Sequence, residues 1–476
     1  MKILFAASEA APFLKTGGLG DVASALPKAL SGDKNSQVAV FIPYYKAIKD
    51  SGRWNIEFLC SFQVPLSWRS VYCGVFRAKD TTKNLQYYFI DNEYYFYRDS
   101  AYGYYDDGER FAFFSKAVLE SLQYLNWYPD VIHANDWQTA MIPVFLRAFY
   151  MGIEAYQPIR TLFTIHNMEY QGKAPASFVD DVLGLPEDWR GTTQFDGVTN
   201  MMKAGILVSD RVSTVSRTYA TEIQDPYYAH GLDGVLRHHS YKLSGVVNGI
   251  DTDVFNPETD PLIPVNYSPD QLSKKAQNKK ALQKRLGLAV RDDVPMVIMI
   301  TRLASHKGLD LVQAVMEDLM EEDIQLVVIG TGEQWYEDMF RHYASRFPEK
   351  MSANIIFDNK LAHETYAAGD LVLMPSKQEP CGLTQLIAMR YGTIPIVRET
   401  GGLYDTVPAF NPESMEGRGL TFKSYNAHDM LDAIRRGAAL FHDKKRWKTL
   451  QKNDMKFDSS WKQSVQEYWQ IYRSML

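Results

Sequence analysis

A carboxylate stands beside a helix start in the stretch Glu379-Pro380-Cys381-Gly382-Leu383. Leu371-Val372-Leu373-Met374 is an apolar run of buried-strand type closed by Pro375, and beyond Gly382 the residues Leu383, Leu386 and Ile387 recur at helical spacing until Gly392. Open α/β sheets bind ligands outside the carboxyl ends of their strands, and the free N–H groups of a helix start favour phosphate. Glu379 would repel a bare anion. A ligand with a phosphate for the helix and hydroxyls for the carboxylate, a sugar nucleotide, fits both features. The competing reading is an acid that only complements the helix dipole.

Other residues of the right chemistry sit at similar places. Lys15-Thr16-Gly17-Gly18-Leu19-Gly20-Asp21 lies between a strand and a helix. Its glycines permit close backbone approach to a ligand, and the helix start again favours phosphate. The lysine precedes the glycines, which excludes a Walker loop, and G-x-G-x-x-G is absent. Arg302 and Lys307 follow the apolar run 296–300 and can neutralise a diphosphate, each charge-assisted hydrogen bond contributing about 1.5–3 kcal/mol; a solvated basic turn is the alternative. His166 ends a strand at 161–165, and Asp136 follows another at 130–133. Neither H-E-x-x-H nor paired C-x-x-C occurs, so no metal site is expected. Asp251-Thr252-Asp253 reads as a turn device rather than a metal ligand, because Arg302 and Lys307 already supply positive charge. The tyrosine-dense run 87–105 reads as packing, with sugar stacking as the alternative.

These residues need elements to hold them. At 476 residues the chain has room for two or three domains. With 51 basic against 57 acidic residues, a net charge of −6 disfavours nucleic acid as a partner. Three cysteines imply no disulfide framework and a reducing compartment. No apolar run approaches the roughly 20 residues of a membrane span, and the opening strand 3–7 leaves no room for a leader, so a cytoplasmic protein is expected. Strands at 3–7, 37–42, 87–90, 130–133 and 161–165 alternate with helices at 20–30 and 109–125. A turn at 244–253 and a polar, Pro-containing segment to about Lys280 lead to a second series: strand 296–300, helix 309–320, strand 324–329, helix 333–345 and strand 354–357. This βαβα rhythm predicts parallel sheets covered on both faces. The predicted division is 1–245, 246–455 and an amphipathic C-terminal helix, 456–476, packing back on the first domain.

The motifs KTGGLGDV (15–22), DVIHANDW (130–137), FTIHN (163–167), VNGID (247–251), TRL with KG (301–308), PSKQEPCGLTQL (375–386) and RYGTIPIVRETGGLYDTV (390–407) together resemble the bacterial glycogen synthases and plant starch synthases. The likeness covers nearly the whole chain. That family comprises retaining glucosyltransferases of the GT-B fold, two facing Rossmann-like domains with a deep interdomain cleft. The resemblance implies ADP-glucose as donor, the non-reducing end of an α-1,4-glucan as acceptor, and no cofactor. It implies that Lys15 and Gly18 meet the phosphates and sugar, that Arg302 and Lys307 hold the diphosphate, and that Glu379 binds glucose hydroxyls. His166 and Asn248 would line that sugar, Asp136 would stand near the reacting centre, and the amides around Leu383 and Thr384 would take a phosphate oxygen. Phe357 would stand near the adenine, where the family often has tyrosine. Gln138, Gln378 and His306 also depart from the usual wording, which bears on turnover and nucleotide selectivity. A catalytically weak glucan-binding homologue and a pyridoxal-phosphate phosphorylase are the competing functions.

Overall fold

The computed structural model describes all 476 residues. They form two compact units, Met1–Gly249 together with Trp461–Leu476, and Ile250–Ser460.

The first unit carries twelve strands: β1 (Lys2–Ala6), β2 (Gln37–Pro43), β3 (Ile56–Leu66), β4 (Arg69–Ala78), β5 (Leu85–Asp91), β6 (Val131–Asn135), β7 (Arg160–Ile165), β8 (Lys173–Pro175), β9 (Gln194–Phe195), β10 (Val198–Asn200), β11 (Arg211–Thr214) and β12 (Leu243–Gly245). Its main sheet has the order β12-β11-β7-β6-β1-β2-β5-β4-β3, and β8, β10 and β9 form a small separate sheet. Strands β12 to β5 of the main sheet are parallel; β4 and β3 extend it as an antiparallel hairpin. The hairpin is absent from the sequence reading. Phe62, Val64, Leu66, Cys73 and Val75 of this hairpin are buried, with Phe62 stacked on Tyr124 of the helix Asp107–Leu125. From β1 the chain builds one way through β2 and β5 and then the other way through β6, β7 and β11. The order therefore reverses at the β1/β6 boundary, where such sheets open a crevice at their carboxyl ends.

The second unit holds β13 (Met296–Ile300), β14 (Gln325–Ile329), β15 (Met351–Asn354), β16 (Leu371–Met374), β17 (Ile394–Arg398) and β18 (Leu420–Phe422), all parallel, in the order β15-β14-β13-β16-β17-β18. Here the reversal falls between β13 and β16. Every residue of β14 and β17 is buried, as strands covered on both faces require. The predicted strand at 354–357 lies earlier, at 351–354. Its apolar run Ile355-Ile356-Phe357 is loop, with Phe357 70% exposed, because pairing runs from Met351 opposite Leu326 to Asn354 opposite Ile329. The predicted helix 309–320 is two helices, Leu309–Ala314 and Met316–Glu321. No helix is long and apolar enough to cross a membrane.

Two dockings depend on polar groups. Within the first unit the helix Lys462–Arg473 buries Val465, Tyr468, Trp469 and Tyr472. Its Tyr472 hydroxyl lies 2.8 Å from His133 Nδ1, and His133 Nε2 lies 2.6 Å from Thr164 Oγ1, so one buried chain links this helix to β6 and β7. In the second unit the polar segment before β13 contains a helix, Lys275–Leu286, whose buried side chains include Lys275, Asn278, Lys279 and Gln283. Lys275 Nζ donates to the carbonyls of Tyr366 and Ala367, and Asn278 exchanges hydrogen bonds with the backbone of Val265. Lys279 Nζ pairs with Asp370 at 2.6 Å, and Asp370 also accepts from Met296 N at 2.8 Å. Amphipathic periodicity reveals such a helix poorly, since four of the five residues on its buried face are lysine or amide and only Leu282 is apolar.

Removing one partner of a buried ion pair leaves the other charge uncompensated, at a cost of about 3–5 kcal/mol. Asp370→Ala is expected to lower stability by that amount in urea unfolding; a loss below about 1 kcal/mol would show that the pair does not dock the helix.

Candidate active site

Lys15 and Asp136 follow β1 and β6, and Arg302, Lys307 and Glu379 follow β13 and β16, the strands at the order reversals; His166 follows the neighbouring β7, and Asn248 and Phe357 follow the edge strands β12 and β15. In the second unit β13 and β16 pair with Ile298 opposite Val372, so the loops that follow them, 301–308 and 375–383, emerge side by side. Gly308 (φ 75°) lets them close: a Cβ there would lie 2.0 Å from Pro375 O. Lys377 N donates to His306 O at 2.9 Å across the same seam. The result is an ion pair between residues 72 apart in the chain. Lys307 Nζ lies 2.9 and 2.7 Å from the two oxygens of Glu379, which also accepts from Ser376 Oγ at 2.8 Å. Glu379 is only 6% exposed. A charge so enclosed is sustained by its ammonium and hydroxyl partners.

The segment after Glu379 is equally constrained. Gly382 takes φ 75°, and Leu383 caps the helix Thr384–Arg390. Gln385 Nε2 donates to the carbonyls of Cys381 and Gly382, fixing the turn from within. Gly402 N donates to Glu379 O at 3.0 Å, and a Cβ on Gly402 would meet Cys381 O at 2.1 Å, so the Gly401-Gly402 pair packs on the backbone that presents the acid. Arg302 is exposed beside this cluster in sequence but outside the Lys307–Glu379 pair, and Phe357 projects from the loop after β15.

In the first unit β6 and β7 pair with Asn135 opposite Thr164, so residues just beyond them converge. Asp136 adopts φ 58°, an uncommon conformation for a non-glycine residue, and its amide donates to Thr164 O at 2.9 Å. This turn aims Asp136 Oδ1 at the amides of His166, 2.7 Å away, and Asn167, 3.3 Å away. Burial outweighs those bonds and pushes the Asp136 carboxyl up to about 7, with the Glu9 carboxylate contributing in the same direction. His166 Nε2 lies 2.9 Å from Asn135 Oδ1. The Asn135 amide nitrogen is committed to the carbonyls of Ala6 and His133, so its oxygen faces the imidazole and Nε2 carries the proton. Burial lowers His166 to about 3 and keeps it neutral. Asn248, three residues past β12, is buried with Oδ1 unpartnered, as is Oε1 of Gln138.

The Lys15 loop differs from its sequence reading in one respect. Its amides at the helix start are engaged by the buried carboxylate of Glu9: Oε2 accepts from Thr16 N (3.0 Å) and from the Thr16 hydroxyl, and Oε1 from Gly17 N (3.1 Å) and Gly20 N (2.9 Å). A phosphate cannot use those three amides while Glu9 does. Lys15 Nζ pairs with Asp21 at 2.8 Å. Sequence reasoning missed Glu9, although a lone acid inside Ala6-Ala7-Ser8-Glu9-Ala10-Ala11 is itself a signal, since an isolated charge in an apolar run needs a dedicated partner.

Comparison with known proteins defines the class first. Residues 2–238 match the starch synthase catalytic domain model and residues 282–454 the glycosyl transferases group 1 model. The catalytic domain of starch synthase IV from Arabidopsis thaliana, solved with ADP and acarbose bound, superposes with a TM-score of 0.92 at 33% identity, covering 100% of this chain and 99% of that one. A sucrose-phosphate synthase from Thermosynechococcus elongatus shares the fold at a TM-score of 0.63 and 16% identity, covering 100% and 98%. The chain is thus a glycosyltransferase of the GT-B fold, with two Rossmann-like domains. Glycogen synthases from Clostridium acetobutylicum and Desulforamulus reducens are 51% and 48% identical to it, each across 100% of this chain and 100% and 99% of their own lengths. The chain belongs to the glycogen and starch synthase family.

A carboxyl whose folded value lies above its unfolded one binds the extra proton in the folded state. The contribution of Asp136 is therefore fully present below about pH 4 and lost as pH rises through about 7. Asp136→Asn removes that loss. Its melting temperature relative to the parent protein should increase from pH 5 to pH 8, by the equivalent of about 3 kcal/mol; a pH-independent difference would contradict the burial of this charge.

Proposed function

We propose that the chain transfers glucose from ADP-glucose to the non-reducing end of an α-1,4-glucan with retention of configuration. The observation that carries this reading is its full-length identity of about one half to a glycogen synthase. The ADP and acarbose in the starch synthase structure support adenine as the nucleotide and an oligosaccharide as the acceptor.

In this reading the second unit grips the donor. Glu379 accepts hydrogen bonds from glucose hydroxyls, Lys307 and Arg302 neutralise the diphosphate, the amides around Leu383 and Thr384 take a phosphate oxygen, and Phe357 lies against the adenine. The Lys307–Glu379 pair suits this task, because each group holds the other in place until sugar hydroxyls and phosphate oxygens take up their remaining bonding capacity. From the first unit, Lys15 and Gly18 approach the phosphates and sugar, and His166 and Asn248 line the glucose. The unpartnered Asn248 Oδ1 is suited to a sugar hydroxyl. Asp136 stands near the reacting centre.

The reaction is best described as a same-face displacement. The anomeric C–O bond to the diphosphate breaks, the acceptor 4-hydroxyl oxygen bonds to the same face of that carbon, and the acceptor proton passes to the departing phosphate oxygen. The chain's contribution is then electrostatic stabilisation of the leaving group and positioning of the acceptor. Neutral His166 cannot stabilise an anion by charge, which leaves that work to the lysines and Arg302.

Incubation with radiolabelled ADP-glucose and glycogen should give ethanol-insoluble label, and faster with ADP-glucose than with UDP-glucose. Label remaining soluble would end the enzyme assignment. Glu379→Ala is expected to reduce kcat by at least about a hundredfold, the scale of a lost transition-state contact, with the circular dichroism spectrum unchanged. Normal turnover in that variant would make the carboxylate structural.

A further inference from the structure

The helix Gly18–Ser31 begins without a capping side chain of its own: its N-cap is Gly17. The cap arrives from eight residues upstream. Glu9 leaves the end of β1 and places both carboxylate oxygens among the donors of Thr16, Gly17 and Gly20. Nine-tenths or more of this side chain is buried, and the Tyr102 hydroxyl, 3.3 Å from Oε2 and 2.7 Å from Ser8 Oγ, closes the remaining side. A carboxylate is a costly cap when a serine at position 17 would satisfy one donor. What it adds is geometry, because one rigid anion ties three amides of a single turn to the end of β1.

Lys15 is joined to the same turn. A Cβ at Gly20 would lie 3.1 Å from Lys15 Cα, Cβ and Cγ, so the lysine stem rests on the residue whose amide Glu9 holds. Of the amides from Thr16 to Gly20, Glu9 leaves those of Gly18 and Leu19 unused. We propose that Glu9 is a positioning residue for glucosyl transfer, the internal anion on which the Thr16–Gly20 turn is wound, acting through Lys15 and the Gly18 amide. The inference rests on the proposed transfer reaction and assigns Glu9 no contact with substrate.

The test is a double-mutant cycle in the full-length protein. Glu9→Gln keeps shape and volume but turns an NH₂ group toward amide donors. It should lower kcat at least 30-fold with the KM for ADP-glucose changed less than threefold. In a Lys15→Gln background the same substitution should cost less than threefold more, because the two residues act as one unit. Hydrogen exchange at Thr16, Gly17 and Gly20, slow in the parent and fast in Glu9→Gln, reads the turn without reference to activity. Unchanged kcat in Glu9→Gln, or losses that multiply in the double variant, would overturn the proposal. Should Glu9→Gln fail to fold, Thr16→Val, which deletes one donor, is expected to lower kcat about fivefold with the same non-additivity. A parent protein that transfers no glucose sinks the functional reading instead, and the exchange data still decide whether Glu9 holds the turn.

Discussion

A carboxylate taken out of water must be surrounded by donors, and each unit folds the loops at its sheet's reversal point around such a group. Glu379 gathers Lys307 and Ser376 in the second unit. Glu9 gathers one turn, and Asp136 the amides after β7, in the first. These acids are where they are because the backbone leaves no choice. Asp136 is turned inward at positive φ, and Glu379 sits on a segment whose neighbours Gly308, Gly382 and Gly402 tolerate no side chain. The chemistry of the site and the closure of its loops are one problem solved with the same residues.

Strand register makes this possible. Residues 136 and 166 meet because Asn135 is opposite Thr164, and loops 301–308 and 375–383 meet because Ile298 is opposite Val372. A parallel sheet shifted by one residue would present the opposite set of side chains to each layer, and Lys307 would no longer face Glu379.

Polar groups also dock whole helices. The helix Lys275–Leu286 is docked by lysines and amides reaching backbone carbonyls, and His133 ties β6 and β7 to the C-terminal helix through Tyr472 and Thr164. Such contacts contribute directional constraint more than net stability, since each exchanges water for a protein partner. Burial of His133 and His166 in neutral form follows the same economy, with hydrogen bonds replacing charge.

Apolar runs and glycine punctuation in the sequence were enough to define the parallel α/β class and the strand ends that carry Asp136, His166, Arg302, Lys307 and Glu379, while the family came from the resemblance of its motifs to known synthases. Local pattern carries those features because strand periodicity and turn chemistry act over a few residues. The same pattern misplaced β15 by reading Ile355-Ile356-Phe357 as core, passed over the β3–β4 hairpin, and hid a helix whose buried face is mostly polar. It also offered the Thr16–Gly20 amides to a phosphate when Glu9 already held three of them. Partners 72 or 30 residues apart, the side of Asn135 that faces His166, and the burial that moves Asp136 are set only when strands come into register. Hydrogen bonding and desolvation depend on distance in space, which sequence separation does not encode.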